Sequence, residues 1–571
     1  MRFKIIKLII VSFFLALIAG LFHLQIIKGN EYYELSRYNR IRIVPVEGNR
    51  GRILDRNGVV LADTRVSFDA VIISQEIRDK EELFSFLSRT LEVDQDVLLK
   101  IFKDRSAAPF VPVVIQEDID QKKAVVLEEN KFRFPGLFVN VGAKREYPFG
   151  EIGAHVLGYV SRINQDKVKK FKDYGFSIQD VTGYSGVEEY YDNFLRGQDG
   201  GFQVEVNNRG EQVRLLGMRE PVKGQDIVLG IDARIQKIAG NLLSDKRGAI
   251  VVLDLDTGEV LGMVSAPSFD PNIFTDILKS RKRSRLFLDS SAPMMNRAIS
   301  GQYPPGSVFK ILMALAVLDQ KKLSTDKTFL CNGSYPLGRR SFRCSHSHGI
   351  QNFTEAIAHS CNVYFYNVGL LLGPESIEEY AYLFGLGIPT NIDLPYEEPG
   401  LIPDPNKAFK RSGRSWSKGD TLNFSIGQGD VLATPIQLVN MISTVARDGK
   451  EIAPHVMVSI GEAENKELIL SRDIDVPKEY FEDVKVGMKA AIGDYAGTAH
   501  LLAMNNLLVL GKTGTAQSSQ GKRHHSWFVG FCPETNRKIA FCVLLEHGGS
   551  SYYACRIAKK LLARMRREKI I

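Results

Sequence analysis

A serine and a lysine in the segment "PPGSVFK", Pro304 to Lys310, have the spacing of a nucleophile and its base. If a helix begins near Ser307, its hydroxyl and the Lys310 amine lie one turn apart on one face. A serine is a weak nucleophile until a base takes its proton, and a lysine can be that base only when burial or another cation lowers its pKa. The same spacing is also typical of an ordinary helix start.

Two further segments carry groups that could complete such a site. In "HSCNVYFY" the hydroxyl of Ser360 and the carboxamide of Asn362 flank a thiol, Cys361. In "GKTGTA" Gly514 would let a substrate backbone approach a strand closely. One cation and two hydroxyls beside it could hold a carboxylate: Lys512, Thr513 and Thr515. K-T-G alone is equally typical of a glycine-containing strand edge.

The residues around these motifs predict an α+β domain. "GAIVVLDLDTGEVLGMVSAP" predicts a hairpin that turns at Asp256-Thr257-Gly258. Apolar stripes predict helices over Phe309 to Gln320 and Thr434 to Gly449. Strands are predicted in "LVLGKTGTAQ", "WFVGFC" and "KIAFCVLLEH", and a terminal helix in "SSYYACRIAKKLLARMRRE". Strands at both ends of a helical middle indicate a sheet built from distant segments.

The first half of the chain has no cluster of nucleophile and base. "RGRILDRNGVVLADT" predicts two strands joined by a turn at Asn57-Gly58. Helical spacing appears near Glu81 to Lys100 and Asp118 to Glu129, and Gly197 is a predicted helix end. This half is therefore interpreted as a structural or docking module.

Size and composition agree with a multidomain globular protein. The chain has 571 residues, enough for two or three domains, with 25% charged and 44% hydrophobic residues. The net charge of +8 is mild for this length. The densest basic run, Lys279 to Arg285, is interpreted as a solvated loop. No basic-aromatic recognition motif accompanies it, so a nucleic-acid partner is not expected.

The N-terminus predicts a membrane anchor. Leu8 to Ile27 is apolar apart from three residues, and a helix of that length spans roughly 30 Å, the hydrocarbon thickness of a bilayer. Basic residues precede it, which predicts a cytoplasmic N-terminus and an exported remainder: Arg2, Lys4 and Lys7. A cleaved signal peptide is the alternative, but the run is long and no small-x-small site follows it directly. No later run approaches this length, so a single span is expected.

Three of the six cysteines lie close together in sequence with two histidines. Cys331, Cys344 and Cys361 have the spacing C-x12-C-x3-H-x12-C if His348 is chosen, with His346 as the spare histidine. Three thiolates and an imidazole suit a closed tetrahedral zinc site. A Cys331–Cys344 disulfide with Cys361 free is the alternative in an oxidising compartment.

The other three cysteines lie in or beside predicted strands and the terminal helix, where a buried, small apolar role is expected: Cys532, Cys542 and Cys555.

The three motifs together resemble a known family. S-x-x-K, S-x-N and K-T-G in this order are similar to the motif set of penicillin-binding proteins and serine β-lactamases. Other segments resemble class B penicillin-binding proteins over nearly the whole chain: "RGRILDRNGVVLA", "AHVLGYVSRI", "GVEEYYDNFLRG", "NRAISGQYPPGSVFK", "IGQGDVLATPIQL" and "HHSWFVGFCP". "AHVLGYV" and the region after the serine motif favour the elongation-type branch, the penicillin-binding protein 2 kind, over the division-type branch.

The resemblance implies three parts. Residues 1–28 would form a short cytoplasmic tail and transmembrane anchor, 29–234 an elongated, mostly β, non-catalytic pedestal of the dimerisation type, and 235–571 the D,D-transpeptidase domain. That domain would have the penicillin-binding, serine β-lactamase-like fold, an antiparallel sheet packed with helices. The protein would be held in the bacterial cytoplasmic (inner) membrane, with its catalytic domain in the periplasm or outside the cell.

The resemblance also implies an activity, D,D-transpeptidation of peptidoglycan stem peptides that end in D-Ala-D-Ala. Ser307 would attack the carbonyl between the two D-alanines, with Lys310 as its base. Ser360 would help to protonate the leaving D-alanine, with Asn362 and Lys310 fixing the network. The K-T-G residues would bind the terminal carboxylate, and the backbone N–H groups of Ser307 and Thr515 would form the oxyanion hole. β-Lactams would block Ser307, and no organic cofactor is expected.

The resemblance extends to a metal and a partner. Some elongation-type relatives carry a metal at the corresponding place, which favours zinc here over the disulfide. If Ser360 and Asn362 face the cleft, Cys361 faces backwards, and zinc would hold the motif from behind without taking part in catalysis. No glycosyltransferase domain is visible, so the pedestal is expected to dock a polytopic glycan polymerase of the shape, elongation, division and sporulation family.

Other functions remain open on the sequence alone. A β-lactamase is disfavoured by the long N-terminal module and the anchor, and a D,D-carboxypeptidase by the N-terminal position of that anchor. A β-lactam sensor or degenerate scaffold would share the fold, but only seven residues precede the span here. The division-type branch shares the catalytic residues and is a further alternative.

Overall fold

The computed structural model describes residues 2–33, 41–46, 48–106, 109, 111–162, 181–206, 212–276, 279–407, 413–464, 470–518 and 522–571. By contacts the chain divides into two compact units. The first contains Met1–Arg50 and Arg196–Gly224, and the second contains Gly51–Leu195 and Gln225–Ile571.

The strands of the described residues are, in chain order, β1 Ile41–Val46, β2 Ile53–Leu54, β3 Val60–Ile73, β4 Pro112–Ile119, β5 Leu137–Glu146, β6 Val160–Arg162, β7 Val181–Gly183, β8 Gly200–Val206, β9 Gln212–Arg219, β10 Ile227–Leu229, β11 Gly248–Asp254, β12 Val260–Ala266, β13 Phe329–Cys331, β14 Ser334–Leu337, β15 Arg340–Arg343, β16 Gly349–Gln351, β17 Lys450–Ile452, β18 Met457–Ile460, β19 Ala463–Glu464, β20 Ser471–Asp473, β21 Leu510–Ala516, β22 His525–Cys532 and β23 Ile539–Leu545.

The α-helices of the same residues are α1 Arg2–Phe22, α2 Lys80–Leu91, α3 Gln95–Arg105, α4 Gln121–Glu129, α5 Ala154–Leu157, α6 Gly186–Tyr190, α7 Asp192–Leu195, α8 Ala233–Leu243, α9 Ser280–Leu288, α10 Lys310–Asp319, α11 Phe353–Ala358, α12 Asn362–Leu372, α13 Pro374–Leu383, α14 Lys418–Ser425, α15 Pro435–Ala446, α16 Lys478–Gly493 and α17 Ser551–Arg567.

The first unit contains the apolar N-terminal helix and a small sheet. Among the described residues, Phe3–Ile27 is the one helix long and apolar enough to cross a membrane. Its apolar side chains are exposed, Leu8 by 69% and Phe13 by 64%, so it is not a core helix of this unit. Strands β1, β8 and β9 form an antiparallel sheet in the order β1-β8-β9.

The early part of the second unit is a mixed sheet with helices on it. The predicted hairpin forms as β2 and β3, and Gly58 takes the left-handed conformation (φ 81°) that its turn requires. Strand β3 pairs with both β4 and β5, and helices α2 and α3 bury their apolar faces against these strands. The helix predicted over Glu81 to Lys100 is two helices, because the backbone turns left-handed at Glu92 after the first. Residues 118–119, predicted as helical, end strand β4 instead.

The catalytic half is a three-layer arrangement around a five-stranded antiparallel sheet in the order β12-β11-β23-β22-β21. Alternation along β11 explains the layers, because side chains of a strand point to opposite faces. Val251 and Leu253 join one buried cluster with helices α10 and α15, whereas Ile250 and Val252 join another with α8 and α17. The sheet is therefore covered on both faces, and the predicted α+β core is present with its strands drawn from both ends of the domain.

Segments outside the catalytic half share its core. Ile53, Leu61 and Tyr147 belong to the same buried cluster as the helix that carries Lys310. The basic run interpreted as a loop is instead helix α9. Arg283 donates to the carbonyls of Ile273 and Asp276, which holds this helix against the preceding turn. Its other basic side chains are exposed, as expected.

A buried ion pair anchors the segment that leads to Ser307. The Arg297 side chain is buried, and its guanidinium donates to Glu546 Oε1 (2.9 Å) and to the carbonyls of Ala292 and Ser291. Tyr303 donates its hydroxyl to the same carboxylate oxygen (2.5 Å). Glu546 follows strand β23 directly, so this pair ties the loop before the nucleophile to the central sheet.

We expect the Arg297→Ala substitution to lower the free energy of unfolding by about 2–3 kcal/mol, because the mostly buried Glu546 carboxylate loses its charged hydrogen bond to Arg297 and keeps as its cation only the more distant Arg247, whose Nε lies 3.4 Å from Oε2. Urea denaturation of the purified chain measures the change. The matched control is Arg281→Ala on the exposed face of α9, which should stay within about 0.5 kcal/mol of the parent. A loss below about 1 kcal/mol for Arg297→Ala would contradict the anchoring role.

Candidate active site

The segment with Ser307 lies directly against strand β21. Gly306–Phe309 forms a 3-10 turn that continues into α10 at Lys310. Gly306 has φ 56°, and a Cβ there would lie 2.9 Å from the carbonyl oxygen of Thr515. A Cβ on Gly514 would lie 2.9 Å from the carbonyl oxygen of Pro305. Glycine at both positions lets the nucleophile segment and the K-T-G strand touch through their backbones.

Lys310 connects the first motif to the second. Its Nζ donates to Asn362 Oδ1 (2.6 Å), to the carbonyl of Ser360 (2.7 Å) and to Ser360 Oγ (3.3 Å). The Lys310 side chain is completely buried. The network predicted from the sequence, in which the amine and the carboxamide fix the hydroxyl, is therefore present as contacts.

Burial lowers the pKa of the Lys310 amine to about 8, against the opposing effect of three cysteines, Cys344, Cys361 and Cys331, that raise it. We therefore expect the rate of acylation by labelled penicillin to rise from pH 6 and to level off above an apparent pKa of about 8. The reason is that only the neutral amine can take a proton from Ser307. Rapid-mixing kinetics between pH 6 and 10 measure this profile. A rate that is flat or falls with pH would contradict Lys310 as the base, and Lys310→Arg should be slow at every pH.

The second motif places its two polar side chains and its thiol on opposite sides. Ser360 and Asn362 line the cleft, whereas Cys361 is fully buried behind it. Ser360 has φ 57°, an uncommon left-handed conformation for a residue with a Cβ. The helical turn before it ends with Cys361 N donating to the carbonyl of Ala356, and Asn362 then begins helix α12. The alternate projection predicted from the sequence is the arrangement observed.

The third motif lies on strand β21, with its hydroxyls on the cleft side. Thr513 and Thr515 line the cleft, and Thr513 Oγ1 donates to Thr498 Oγ1 (3.0 Å). Lys512 is fully buried, and its Nζ donates to the carbonyl of Thr513. Burial lowers its pKa well below the usual value, and the Lys310 charge lowers it further. The predicted carboxylate set is therefore together, but Lys512 lies behind the hydroxyls and is not part of the cleft lining.

The three motifs enclose one open cleft of about 1390 Å³, solvent included. The residues that line it are Ser307, Ser345, His346, His348, His359, Ser360, Asn362, Ala496, Thr498, Thr513, Thr515, Ser550 and Ser551.

A cluster of three cysteines and one histidine lies behind the second motif. The ligand atoms of Cys331, Cys344, His348 and Cys361 all lie within 4.8 Å of one another. His348 Nδ1 is 3.5 Å from the sulfurs of both Cys331 and Cys344. The structure thus brings together the four residues that the sequence analysis proposed as ligands and selects His348 over His346.

The donor set fits a zinc ion. A hydrogen bond from the Cys361 thiol and backbone N–H donors from Asn362 and Val363 lower the pKa of Cys344 to about 3, which favours the thiolate that a metal requires. Burial lowers the pKa of His348, which favours the neutral imidazole. Three cysteine sulfurs and one imidazole within 4.8 Å of one another are the ligand set of a closed structural zinc site, whose ion would displace the remaining thiol protons.

The remaining cysteines have the expected surroundings. All three are buried against the central sheet, Cys542 in the apolar cluster on one face and Cys532 and Cys555 in the cluster on the other. Burial raises the pKa of the Cys532 thiol to about 12. These residues are small core side chains, as predicted.

Two residues that connect the motifs were not predicted from the sequence. Thr498 bridges the second and third motifs, since its Oγ1 donates to the carbonyl of Ala358 (3.2 Å) and accepts from Thr513. Gln428 donates to the carbonyl of Thr515 from the segment "IGQG". Single threonines carry no spacing signal, but the glycine-flanked glutamine of "IGQG" could have indicated a turn near the site.

Taken together, fold and site define a serine acyltransferase of the penicillin-recognising kind, with a buried lysine one turn after the nucleophile. A family model described as the penicillin binding protein transpeptidase domain matches residues 248–565, and one described as the penicillin-binding protein dimerisation domain matches residues 45–229. The chain belongs to the penicillin-binding protein transpeptidase family.

Individual relatives specify the branch. The chain is 32% identical over 563 residues to the peptidoglycan D,D-transpeptidase MrdA of Escherichia coli (strain K12), covering 94% of this chain and 89% of that protein. Penicillin-binding protein 2 of Helicobacter pylori in complex with MreC superposes with a TM-score of 0.82 at 28% identity, covering 93% of this chain and all of that one.

A third structure, described as a peptidoglycan synthase complex that coordinates polymerisation and crosslinking, gives a TM-score of 0.75 at 30% identity over 98% of both chains. The predictions of family, fold class and transpeptidase class are confirmed, and the elongation-type branch is the one supported. The proposed limits 1–28, 29–234 and 235–571 stay a prediction.

Proposed function

We propose that this protein crosslinks peptidoglycan stem peptides during cell-wall elongation, through an acyl-enzyme on Ser307. The observation that carries the proposal is the Lys310 amine, which is buried, has a lowered pKa and bonds Ser360 and Asn362 from the same helix start that carries Ser307. This is the arrangement in which an amine can accept and return a proton.

In the first half-reaction the neutral Lys310 amine takes the Ser307 proton, and Ser307 Oγ forms a bond to the carbonyl carbon of the penultimate D-alanine. Thr513 and Thr515 hold the terminal carboxylate, with the Lys512 amine behind them, and backbone N–H groups of Ser307 and Thr515 stabilise the oxyanion. The proton then passes through Ser360 to the nitrogen of the leaving D-alanine. A neighbouring stem peptide's amine next displaces Ser307, whereas a β-lactam has no separate leaving group and leaves the serine blocked.

The test is a crosslinking assay with the full chain in detergent, a polymerised lipid-linked substrate and a labelled D-alanine terminus. We expect release of one labelled D-alanine for each crosslink formed. Release of D-alanine without crosslinks would favour a carboxypeptidase, and turnover of penicillin without a lasting adduct would favour a β-lactamase.

Zinc is proposed as a structural ion held by Cys331, Cys344, His348 and Cys361. A bound zinc ion would supply fixed bonds that cross-link the segment before α11 to the start of α12. Because Cys361 lies between Ser360 and Asn362, fixing its sulfur fixes the backbone that presents both side chains to the cleft. The chain itself contributes the four ligand side chains and a hydrogen bond from the Asn362 backbone N–H to Cys344 Sγ (3.1 Å).

The anchor is proposed to cross the cytoplasmic membrane once, with residues 1–7 inside and the catalytic half outside. The exposed apolar surface of Phe3–Ile27 and the basic residues before it support this orientation. Cysteine labelling with a membrane-impermeant reagent tests it. A cysteine placed at exposed Ser290 should react in intact spheroplasts, and one placed at Lys4 should react only after permeabilisation.

A polytopic glycan polymerase of the shape, elongation, division and sporulation family is the proposed partner, together with an MreC-like scaffold protein. The support is that similar structures were solved with MreC and within a peptidoglycan synthase complex. Detergent pulldown of the tagged full chain from its native membrane tests the partnership. Repeated absence of such a polymerase from the eluate would contradict it.

A further inference from the structure

His359 is one of three histidines that line the cleft, and it takes no part in the reaction proposed above. His359 lines the cleft directly before Ser360 in the chain. Its Nδ1 lies 2.7 Å from the side-chain oxygen of Gln351, and its ring is parallel to that of His348 (interplanar angle 7°). His359 is not a member of the group of potential metal ligands.

The surroundings of Gln351 fix which His359 nitrogen carries the proton. Gln351 is buried (3% exposed), and its Nε2 donates to the carbonyls of His348 (3.1 Å) and Ile350 (3.0 Å). The amide is therefore oriented, and its Oε1 must accept from His359. With Nδ1 donating to Gln351, Nε2 is the ring nitrogen that can accept a hydrogen bond in the neutral imidazole.

In the second half-reaction, the incoming amine needs a hydrogen-bond acceptor that orients it, and His359 Nε2 could serve as that acceptor. Hydroxyls of Thr513 and Thr515, with a lysine behind them, suit a carboxylate, so that wall serves the donor peptide. The incoming amine must reach the acyl carbon from the place that the leaving nitrogen vacated, beside Ser360. His359 lies in the cleft wall directly before Ser360 in the chain, and Nε2 is the ring nitrogen that does not contact Gln351.

We propose that His359 binds the amine of the acceptor stem peptide, an inference that rests on the proposed transpeptidase function. The neutral amine donates one N–H to His359 Nε2, which directs the nitrogen lone pair at the ester carbon of acylated Ser307. The N–C bond forms, the C–Oγ bond breaks, and the second amine proton passes through Ser360 and Lys310 to Ser307 Oγ. Gln351 acts as a positioning residue for the imidazole.

The experiment measures how the acyl-enzyme divides between acceptor and water. The full chain in detergent receives a synthetic acyl-D-alanyl thioester as donor and a stem tripeptide with a free side-chain amine as acceptor. For His359→Phe we expect the ratio of aminolysis to hydrolysis to fall about five- to tenfold, the effect of one hydrogen bond. His359→Gln, whose side-chain oxygen can replace Nε2, should keep the ratio within about threefold of the parent, and Gln351→Leu should lower it as His359→Phe does.

A control variant and a zinc measurement separate loss of the acceptor contact from damage to the cysteine cluster. The matched control is His455→Phe, a half-buried histidine outside the cleft lining, which should leave the ratio unchanged. Zinc content, measured in each sample, identifies any damage to the cysteine cluster. The proposal is overturned if His359→Phe keeps the parental ratio, if His359→Gln loses as much as His359→Phe, or if the ratio falls only together with zinc. Failure of the parent chain to acylate Ser307 would instead reject the proposed function itself.

Discussion

Replacement of Ser307 by alanine should abolish covalent labelling by penicillin and lower crosslinking by at least about 10⁴-fold, the size of effect seen when a catalytic serine is removed from other acyl-transferring enzymes. The reason is that no other hydroxyl of the cleft lies one helical turn before the buried Lys310 amine. Intact-protein mass spectrometry after incubation with a penicillin measures the adduct, and peptide mapping locates it.

The control for this experiment is Ser290→Ala, an exposed serine outside the cleft, which should label like the parent chain. Thermal unfolding should be unchanged within a few degrees for Ser307→Ala, because its side chain makes none of the buried contacts that hold the turn. An adduct on another residue, or undiminished labelling of the variant, would reject the assigned nucleophile and with it the proposed mechanism.

Removal of zinc should have the second largest effect. We expect one zinc per chain by elemental analysis, and we expect chelation or Cys344→Ser to lower the melting temperature by about 10 °C and the acylation rate by at least about tenfold. Loss of the metal leaves thiols packed together behind Ser360 and Asn362, so the segment that orients both side chains loses its fixed bonds. Calorimetry and the penicillin-labelling rate measure the two effects.

Cys542→Ser provides the matched cysteine control, because Cys542 is fully buried in strand β23 and is not one of the four residues of the cysteine cluster. It should keep its zinc, although burial of a hydroxyl costs some stability. Absence of stoichiometric zinc from the parent chain, together with a mapped Cys331–Cys344 disulfide, would contradict the zinc site. The disulfide would then be the covalent link in this segment.

The sequence predicted those parts of the site in which spacing reflects local geometry. Ser307 and Lys310 are one helical turn apart. Ser360 and Asn362 flank Cys361, whose side chain points away from the cleft, and the K-T-G residues lie on strand β21. In each case periodicity alone determines which side chains share a face. The hairpin turns at Gly58 and Gly258 were also predictable, because each turn requires a left-handed residue and glycine adopts that conformation readily.

Other parts depended on contacts between distant segments. Thr498 meets Thr513 only because two separate segments meet beside β21. His359 acquires a defined tautomer only through Gln351, whose own orientation depends on two backbone carbonyls. Lys512 was predicted at the substrate surface, but burial of its side chain depends on packing that a three-residue motif cannot reveal. The division of the chain into units likewise follows the shared core of Ile53, Leu61 and Tyr147, which lie in the segment predicted as a separate pedestal.

The left-handed backbone at Ser360 determines how the hydroxyl there can be studied. Alanine at this position would keep the roughly 1 kcal/mol or more of torsional penalty that a Cβ incurs, so it removes only the oxygen. Glycine would remove the oxygen and relieve that penalty, and the variant should melt higher than its alanine counterpart while remaining equally slow. A residue with a Cβ thus occupies a position where glycine would be less strained, and comparison of the two replacements separates the torsional cost from the effect of the hydroxyl that the proposed mechanism uses.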